Sequence, residues 1–397
     1  IERSKRMATA VAAPRAGAAA AAGAGEGWEA GSGGGSVASR GRVRAPCAAR
    51  DRAGLTPQEL EHFHREGFVV ARGLFGSEDL DPIVDEFSEV LTRLCRDLHC
   101  QGILKSPLEE LPFEEKYIRL IAESGRVFAD HWRPTLPAQL SSIREDTPMH
   151  VGPAVFGAIR NPRLLDAVES LIGEEIFANP IQNVRIKPPE SCLPSTGHNQ
   201  LNFGLTAATP WHQDNAVCTE DADPTKIVTV WFPLHDVEED NGPLLLVPRS
   251  HTKGLQKHCV SRSTKEVHLP EETLEGDRVM LPMQRGDVLF LHKHTFHASA
   301  RNTSQRMRFS LDLRYNPIGE PTGRAQLPGF VARSRAAPTR ELRDAAHWAE
   351  MWRSTREALA QRARRSEAAE RPSPPLEGEE LLGRDRWLRH PDAIFCA

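Results

Sequence analysis

Paired cysteines, tyrosine and long apolar runs are all scarce in this chain. Its seven cysteines, at 47, 95, 100, 192, 218, 259 and 396, form no CxxC pair. An odd number spread over 397 residues argues against a disulfide framework and for a reducing compartment. Cys218 and Cys259 lie in the same half as the histidines discussed below, but their spacing gives no support to a zinc site. No stretch approaches the ~18 continuous apolar residues of a membrane span. The formal net charge is only −4, which gives no general attraction to nucleic acid or to an anionic membrane. No internal repeat is present. Hydrophobic residues make up 39% of the chain, and the first fifty positions hold almost no large ones, so the core must come from the remainder.

Residues 1–54 are rich in Ala, Gly, Ser and Arg, as in AGAAAAAGAG and GSGGGS. Such a segment cannot bury enough apolar surface to offset its ordering entropy, and a disordered leader is expected. Its Arg content suits an organelle transit peptide as well as a plain low-complexity leader, so a cytoplasmic location and organelle import both stay open. Because the chain starts at Ile1, Met7 is an alternative start and the place of residues 1–6 in the native protein is open. Order is expected from Leu55. Thr56 can cap a helix with Pro57 at its first position, Glu59 at its third and Gly67 at its end. FVVARGLF reads as a strand. Ser77 is the expected cap of a second helix with the stripe Leu80, Ile83, Val84, Phe87, Val90, Leu91 and Leu94. A further helix is expected near 113–129, and another runs from cap Asn161 and Pro162 to Gly173.

From about 176 the pattern changes to short β-type runs cut by Pro, Gly, Asn and Asp. The runs 181–187, 226–234, 242–248, 286–292 and 307–315 read as strands, and Asn241–Gly242 as a hairpin turn. Strands so short and frequent, with no helices between them, predict a sandwich or jelly roll. A helix over 336–370, with Leu342, Ala345, Trp348, Ala349, Trp352 and Leu359 on one stripe, is expected to pack outside the sheets, and 371–397 reads as a tail.

TPWHQD, Thr209–Asp214, places His212 and Asp214 two apart, on one side of an extended segment. An imidazole and a carboxylate so placed can grip a divalent metal. GDVLFLHKHTFHASARN supplies a third ligand from His292, His294 or His297. Two histidines and one carboxylate leave open positions that suit non-haem Fe(II). A lone HxD is also common by chance. In Met307–Tyr315 the even positions Arg308, Ser310, Asp312 and Arg314 share one face. That face is either solvated or carries an arginine into a pocket, where it can hold a carboxylate through two bonds. Alternation alone does not choose.

HQD, VWFPLHDVEEDNGPLLLVPRSHTKG and GDVLFLHKHTFHASARNTSQRMR together resemble the phytanoyl-CoA dioxygenase family of Fe(II)/2-oxoglutarate oxygenases, over most of 55–335. The resemblance implies an α+β, mainly β architecture: a double-stranded β-helix of the cupin-like, jelly-roll kind, flanked by N-terminal and C-terminal helices. It implies iron ligands at His212, Asp214 and His297, with His292 and His294 outside the ligand set. Arg308 matches the 2-oxoglutarate arginine, with Arg306 as the fallback, and Ser299 the hydroxyl that assists it. Trp231 stands where the family often has an aromatic near the cosubstrate, and is equally readable as core. Asn183, Arg185 and Lys187 share a strand face that either lines the pocket or is solvated; Gln213 is grouped with them as a pocket candidate, and Trp211 and Gln213 read as positioning residues.

The function implied is hydroxylation of a small organic molecule, using Fe(II), 2-oxoglutarate and O₂, with release of succinate and CO₂ and with ascorbate as the in vitro reductant. No nucleic-acid partner is expected. The rivals are a cupin-type metalloprotein without 2-oxoglutarate chemistry and a non-catalytic ligand-binding jelly roll. Segments near 100–150 and 188–209 are expected to decide the substrate, whose identity, CoA ester or not, is unreadable; so is the oligomeric state.

Overall fold

The computed structural model describes residue 47 and residues 49–50, 54–137, 142–193, 208–261, 267–368 and 386–387, with the backbone of 394–396. All of these belong to the unit Gly41–Ala397. Most of the expected leader, and residues 194–207 of the expected substrate loop, lie outside the described residues. Order nonetheless begins ahead of Leu55. The Cys47 carbonyl accepts from the Ser77 amide, and Arg50 pairs with Glu59 at 2.9 Å.

The chain opens with helix α1 (Pro57–Glu66), strand β1 (Phe68–Ala71), and helices α2 (Ser77–Cys100), α3 (Phe113–Ser124), α4 (Pro153–Ile159) and α5 (Pro162–Ile172). Thr56 and Glu59 cap α1 reciprocally, and Gly67 ends it at φ 84°. Asn161 caps α5 through the amides of Arg163 and Leu164. The cap of α2 differs from the sequence reading. Gly76 is the capping residue, its amide donates to Asp79 at 2.8 Å, and Ser77 is already helical, its hydroxyl taken by the Cys47 amide. Helix α4 carried no advance signal beyond Pro153, because its seven residues are too few for a periodic stripe.

Strands β2 (Glu175–Ala178), β3 (Asn183–Lys187), β4 (Thr209–His212), β5 (Val228–Pro233), β6 (Leu244–Leu246), β7 (Cys259–Ser261), β8 (Val267–His268), β9 (Val279–Leu281), β10 (Val288–His292), β11 (His297–Ser299), β12 (Arg308–Pro317) and β13 (Phe330–Ser334) follow. Helix α6 (Ala345–Ala368) and strand β14 (Ile394–Cys396) close the chain. The major sheet runs β1-β10-β5-β12-β2-β13, with β3 also on β12; the minor sheet runs β4-β11-β6-β9. These two antiparallel sheets form the expected jelly roll. A small third sheet, β14-β7-β8, adds the tail strand beside β7. Asn241–Gly242 is a corner between the sheets, not a two-residue hairpin, because β5 and β6 belong to different sheets.

Alternation divides the major sheet into two faces. Val228, Val230, Phe232, Val288, Phe290, Phe309, Leu311 and Leu313 join the helical core with Phe87, Leu164 and Trp352. The opposite face carries Trp231, Leu289 and Leu291 against Leu244 and Leu246 of the minor sheet. The polar face of β12 therefore points between the sheets. Arg308, Ser310, Asp312 and Arg314 are at most 6% exposed, which removes the solvated-strand reading. Helix α6 packs through Trp348 on Phe156 of α4, ring centroids 5.5 Å apart, so it extends the helical layer. Cys259 is disulfide-bonded, contrary to a wholly reduced set.

The histidine-rich turn after β10 is buried away from both sheets' shared interior. His292 stacks near His251 and His294, ring centroids 5.2 and 5.3 Å apart. Burial depresses His292 to about 3 and His294 to about 4, from an ordinary value of 6.5. In the unfolded chain these rings protonate near 6.5, while the folded protein resists, so stability is lost as pH falls from 6.5 toward 4. Urea denaturation across this range should show that loss, and His292→Gln/His294→Gln should make it shallower, the remainder coming from other buried histidines such as His235 and His258, each depressed to about 3. An unchanged slope in the double variant contradicts the assignment.

Candidate metal centre

His212 ends β4 and His297 begins β11, and the two are direct cross-strand partners. Their rings lie 4.1 Å apart, centroid to centroid. The register slips between His297 and Ser299, a bulge that re-aims the end of β4. Asp214 opens a 3-10 turn (Asp214–Val217) just beyond. One ligand atom from each of His212, Asp214 and His297 falls within 4.8 Å of the other two, and among the described residues this is the sole such cluster. The Nε2 of His297 is 3.8 Å from Asp214 Oδ2. His292 and His294 are not in the cluster.

The tautomers are fixed by the backbone. Nδ1 of His212 sits 2.8 Å from the Pro210 carbonyl, and Nδ1 of His297 sits 3.0 Å from that of Thr295. A carbonyl only accepts, so each Nδ1 carries the proton and each Nε2 keeps a lone pair for a metal. Burial, with His297 adjoining, holds His212 well below its ordinary pKa, which keeps that imidazole neutral.

Asp214 is buried at 2% exposure, and burial alone would raise its pKa. Arg314 overrides this: its guanidinium donates to Oδ1, while Thr229 donates to Oδ2 at 2.7 Å. The net effect holds the carboxyl well below the usual carboxylate range. Arg314 and Thr229 are themselves register partners across β12 and β5. One rung of the sheet thus clamps both oxygens. The sequence reading found the face but missed this role for Arg314 and missed Thr229 entirely, since the β12–β5 register is not encoded locally.

A small cavity opens beside the triad, lined by Arg185, Trp231, Ser299, Arg308 and Asp312 among others. Arg308 is 1% exposed, and its Nη1 donates to Ser310 Oγ at 2.6 Å. Its Nε is buried with no hydrogen-bond partner. Its guanidinium lies 5.5 Å from the centroid of the Trp231 ring. Burial, reinforced by Arg185 and opposed by Asp312, depresses its pKa to about 9. A guanidinium stays protonated at neutral pH, and among the described residues no carboxylate pairs with this one, Asp312 being paired with Arg185 instead. Trp231 serves both readings: it lines the cavity and belongs to the apolar cluster between the sheets.

Other expected site residues are placed differently. Ser299 does not touch Arg308; its Oγ accepts from Lys187 Nζ at 2.6 Å and from the Thr209 amide at 3.0 Å. Ser310 is the hydroxyl that contacts Arg308. With both lone pairs of Ser299 used, its proton is left to donate. Lys187 is fully buried behind Ser299 and does not line the cavity. Gly242, at φ 86°, makes room for it: a Cβ there would stand 3.0 Å from Lys187 Cδ and 3.7 Å from Arg308 Nε. Asn183 accepts from Arg133 at 3.2 Å and does not line the cavity, although its register partner Asp312 does. Gln213 is turned away and held by Gly254, His294 and Gln256, a positioning role. Of the four pocket candidates only Arg185 lines the cavity, where it pairs with Asp312 at 3.0 Å. Arg306 reaches Glu238 and Asp240 on the surface and cannot replace Arg308.

The family model for phytanoyl-CoA dioxygenase (PhyH) matches residues 63–310, well over half of the chain. The chain belongs to the phytanoyl-CoA dioxygenase family. Phytanoyl-CoA dioxygenase domain-containing protein 1 of Bos taurus is 24% identical over 274 residues, covering 64% of this chain and 88% of that protein. The 1-deoxypentalenic acid 11-beta-hydroxylase of Streptomyces arenae is 26% identical over 260 residues, covering 62% and 86%. Among solved structures, the non-heme alpha ketoglutarate dependent epimerase SnoN is 18% identical over 67% of this chain and 85% of that one, with a TM-score of 0.40. Family membership makes this chain a 2-oxoglutarate-dependent non-haem iron enzyme with Fe(II) and 2-oxoglutarate as cofactors. The donor set agrees: two imidazoles, one ionised carboxylate and a nearby buried guanidinium that no carboxylate pairs with among the described residues. Among the described residues, no helix is long and apolar enough to cross a membrane.

The clamp on Asp214 is directly testable. Arg314→Met removes the largest influence opposing burial and leaves Thr229 and the two imidazoles, so the pKa of that carboxyl should rise. Co(II) affinity should fall about 10- to 100-fold, and fall further between pH 7.5 and pH 6, as is typical when a partner of a ligand is lost. A variant that binds Co(II) like the parent at both pH values contradicts the clamp.

Proposed function

We propose that this enzyme hydroxylates a small organic substrate, with iron held by His212, Asp214 and His297 and the distal carboxylate of 2-oxoglutarate held by Arg308. The observation carrying this reading is the buried guanidinium of Arg308, paired with no carboxylate among the described residues, on the wall of the cavity that holds the triad's histidines. When bound, iron and 2-oxoglutarate supply oxidative decarboxylation coupled to O₂, releasing succinate and CO₂.

The chain's own residues prepare that chemistry. The two Nδ1–carbonyl bonds present Nε2 lone pairs without a proton to displace. Arg314 and Thr229 keep Asp214 ionised and pointed at the same locus. Arg308 offers a charge-assisted bond to a carboxylate, and the proton of Ser299 supports a second. Trp231, Leu244 and Leu291 give the cavity apolar walls that exclude water. A carboxylate at 214, where halogenating relatives have a small residue, favours hydroxylation. The rival cupin-type metalloprotein has no use for a buried cation such as Arg308, and a non-catalytic module has no need to keep a complete triad.

A succinate-release screen over a metabolite panel, with Fe(II), ascorbate and 2-oxoglutarate supplied, should find substrate-dependent turnover. His297→Ala should abolish iron binding, whereas His292→Ala and His294→Ala keep it. Arg308→Ala should raise the 2-oxoglutarate requirement roughly 10- to 150-fold with iron still bound, matching about 1.5–3 kcal/mol for a charge-assisted bond. Iron and 2-oxoglutarate binding with no succinate from any substrate would favour the binding-module rival.

A further inference from the structure

Asp214 has two chain neighbours, and both are fixed by groups that the C-terminal tail covers. On one side, Asn215 is fully buried and its Nδ2 donates to Asp223 Oδ1 at 2.7 Å. Asp223 in turn accepts two bonds from Arg386, at 2.9 and 2.7 Å. On the other side, the Gln213 amide donates to His258 Nε2 at 3.2 Å. That ring's Nδ1 is spent on the Gln256 carbonyl at 2.8 Å, so Nε2 is free to accept. The ring of Trp387 lies 4.9 Å from that of His258.

Trp387 also closes the far end of the metal-binding turn. Its Nε1 donates to the Ala216 carbonyl at 2.8 Å, one of the carbonyls that a short 3-10 turn leaves unsatisfied. Its ring covers a small apolar cluster of Ala216, Val260 and Val267. A few residues on, β14 pairs in parallel with β7, the strand that follows His258. Arg386 stacks on Trp387 at 5.0 Å, and its bonds to Asp223 are partly buried, with the guanidinium side chain only 11% exposed. Partial burial makes this bidentate pair stronger than a free surface pair, and it ties the tail to one point on the loop.

We infer that Arg386 and Trp387 form a clasp that positions the metal-binding turn, so that the tail, far from the ligands in sequence, sets divalent-metal affinity. These are positioning residues. Neither touches a ligand, and both act through Asn215, Ala216 and His258. The inference rests on the metal reading proposed above.

The test is an anaerobic Co(II) titration followed by d–d absorption, well below the melting temperature, on the full chain and on Arg386→Ala/Trp387→Ala. The dissociation constant should rise about tenfold, the low end for groups that act through a ligand's neighbours. Trp387→Phe, which keeps the ring and loses the bond to the Ala216 carbonyl, should fall between. Trp352→Phe, a buried change in the remote helix α6, serves as the control for general destabilisation and should leave the constant unmoved. A clasp variant that melts earlier but binds Co(II) within twofold of the parent overturns the clasp alone. A parent protein that binds no Co(II) overturns the clasp and the metal reading together.

Discussion

Everything at this site depends on keeping one carboxylate ionised where no water can solvate it. Asp214 sits between two sheets, and an unpaired charge there would cost several kcal/mol. The fold meets that cost with a single rung of the major sheet, Arg314 opposite Thr229, each donating to one oxygen. The lone pairs still directed at His212 and His297 are then available to a metal. Two imidazoles complete the set, each with Nδ1 held by the carbonyl two residues earlier so that Nε2 is the atom left for a metal.

The same strand carries the complementary feature. Arg314 is matched to an anion and Arg308 is not, though both are buried on one face of β12. Ser310 and Asp312 lie between them, and Asp312 is drawn toward Arg185. A strand with one guanidinium paired to a carboxylate and another bonded, among the described residues, only to the Ser310 hydroxyl has separate places for a permanent carboxylate and an exchangeable one. Lys187, packed against Gly242 and donating to Ser299, adds positive potential without lining the cavity. The helices stay apart from this chemistry: they cover the other face of the major sheet with an apolar core.

His212 and Asp214 were legible from a spacing of two, whereas His297 and Arg308 were singled out by the family resemblance, since alternation alone left the face of β12 open. Helix ends marked by Thr56, Gly67, Asn161 and Gly173 were legible locally too, since caps are chosen by adjacent residues. What escaped was set by pairing between distant strands. That Arg314 rather than Arg308 meets Asp214 follows from the β12–β5 register. That Ser310 rather than Ser299 contacts Arg308 follows from the position of Lys187 on β3. Strands of two to four residues, such as β8 and β11, are too short to show alternation. A tail rich in Pro and Glu gave no hint that Arg386 and Trp387 would dock near Asp214.

The central claim is that the triad and Arg308 form one site for iron and a keto acid. Its most direct measurement is an anaerobic titration of 2-oxoglutarate into the Fe(II)-loaded protein, watched for the weak visible charge-transfer band of the chelate. The account predicts a band that saturates at one equivalent. Iron that binds without any band as 2-oxoglutarate is added would contradict it.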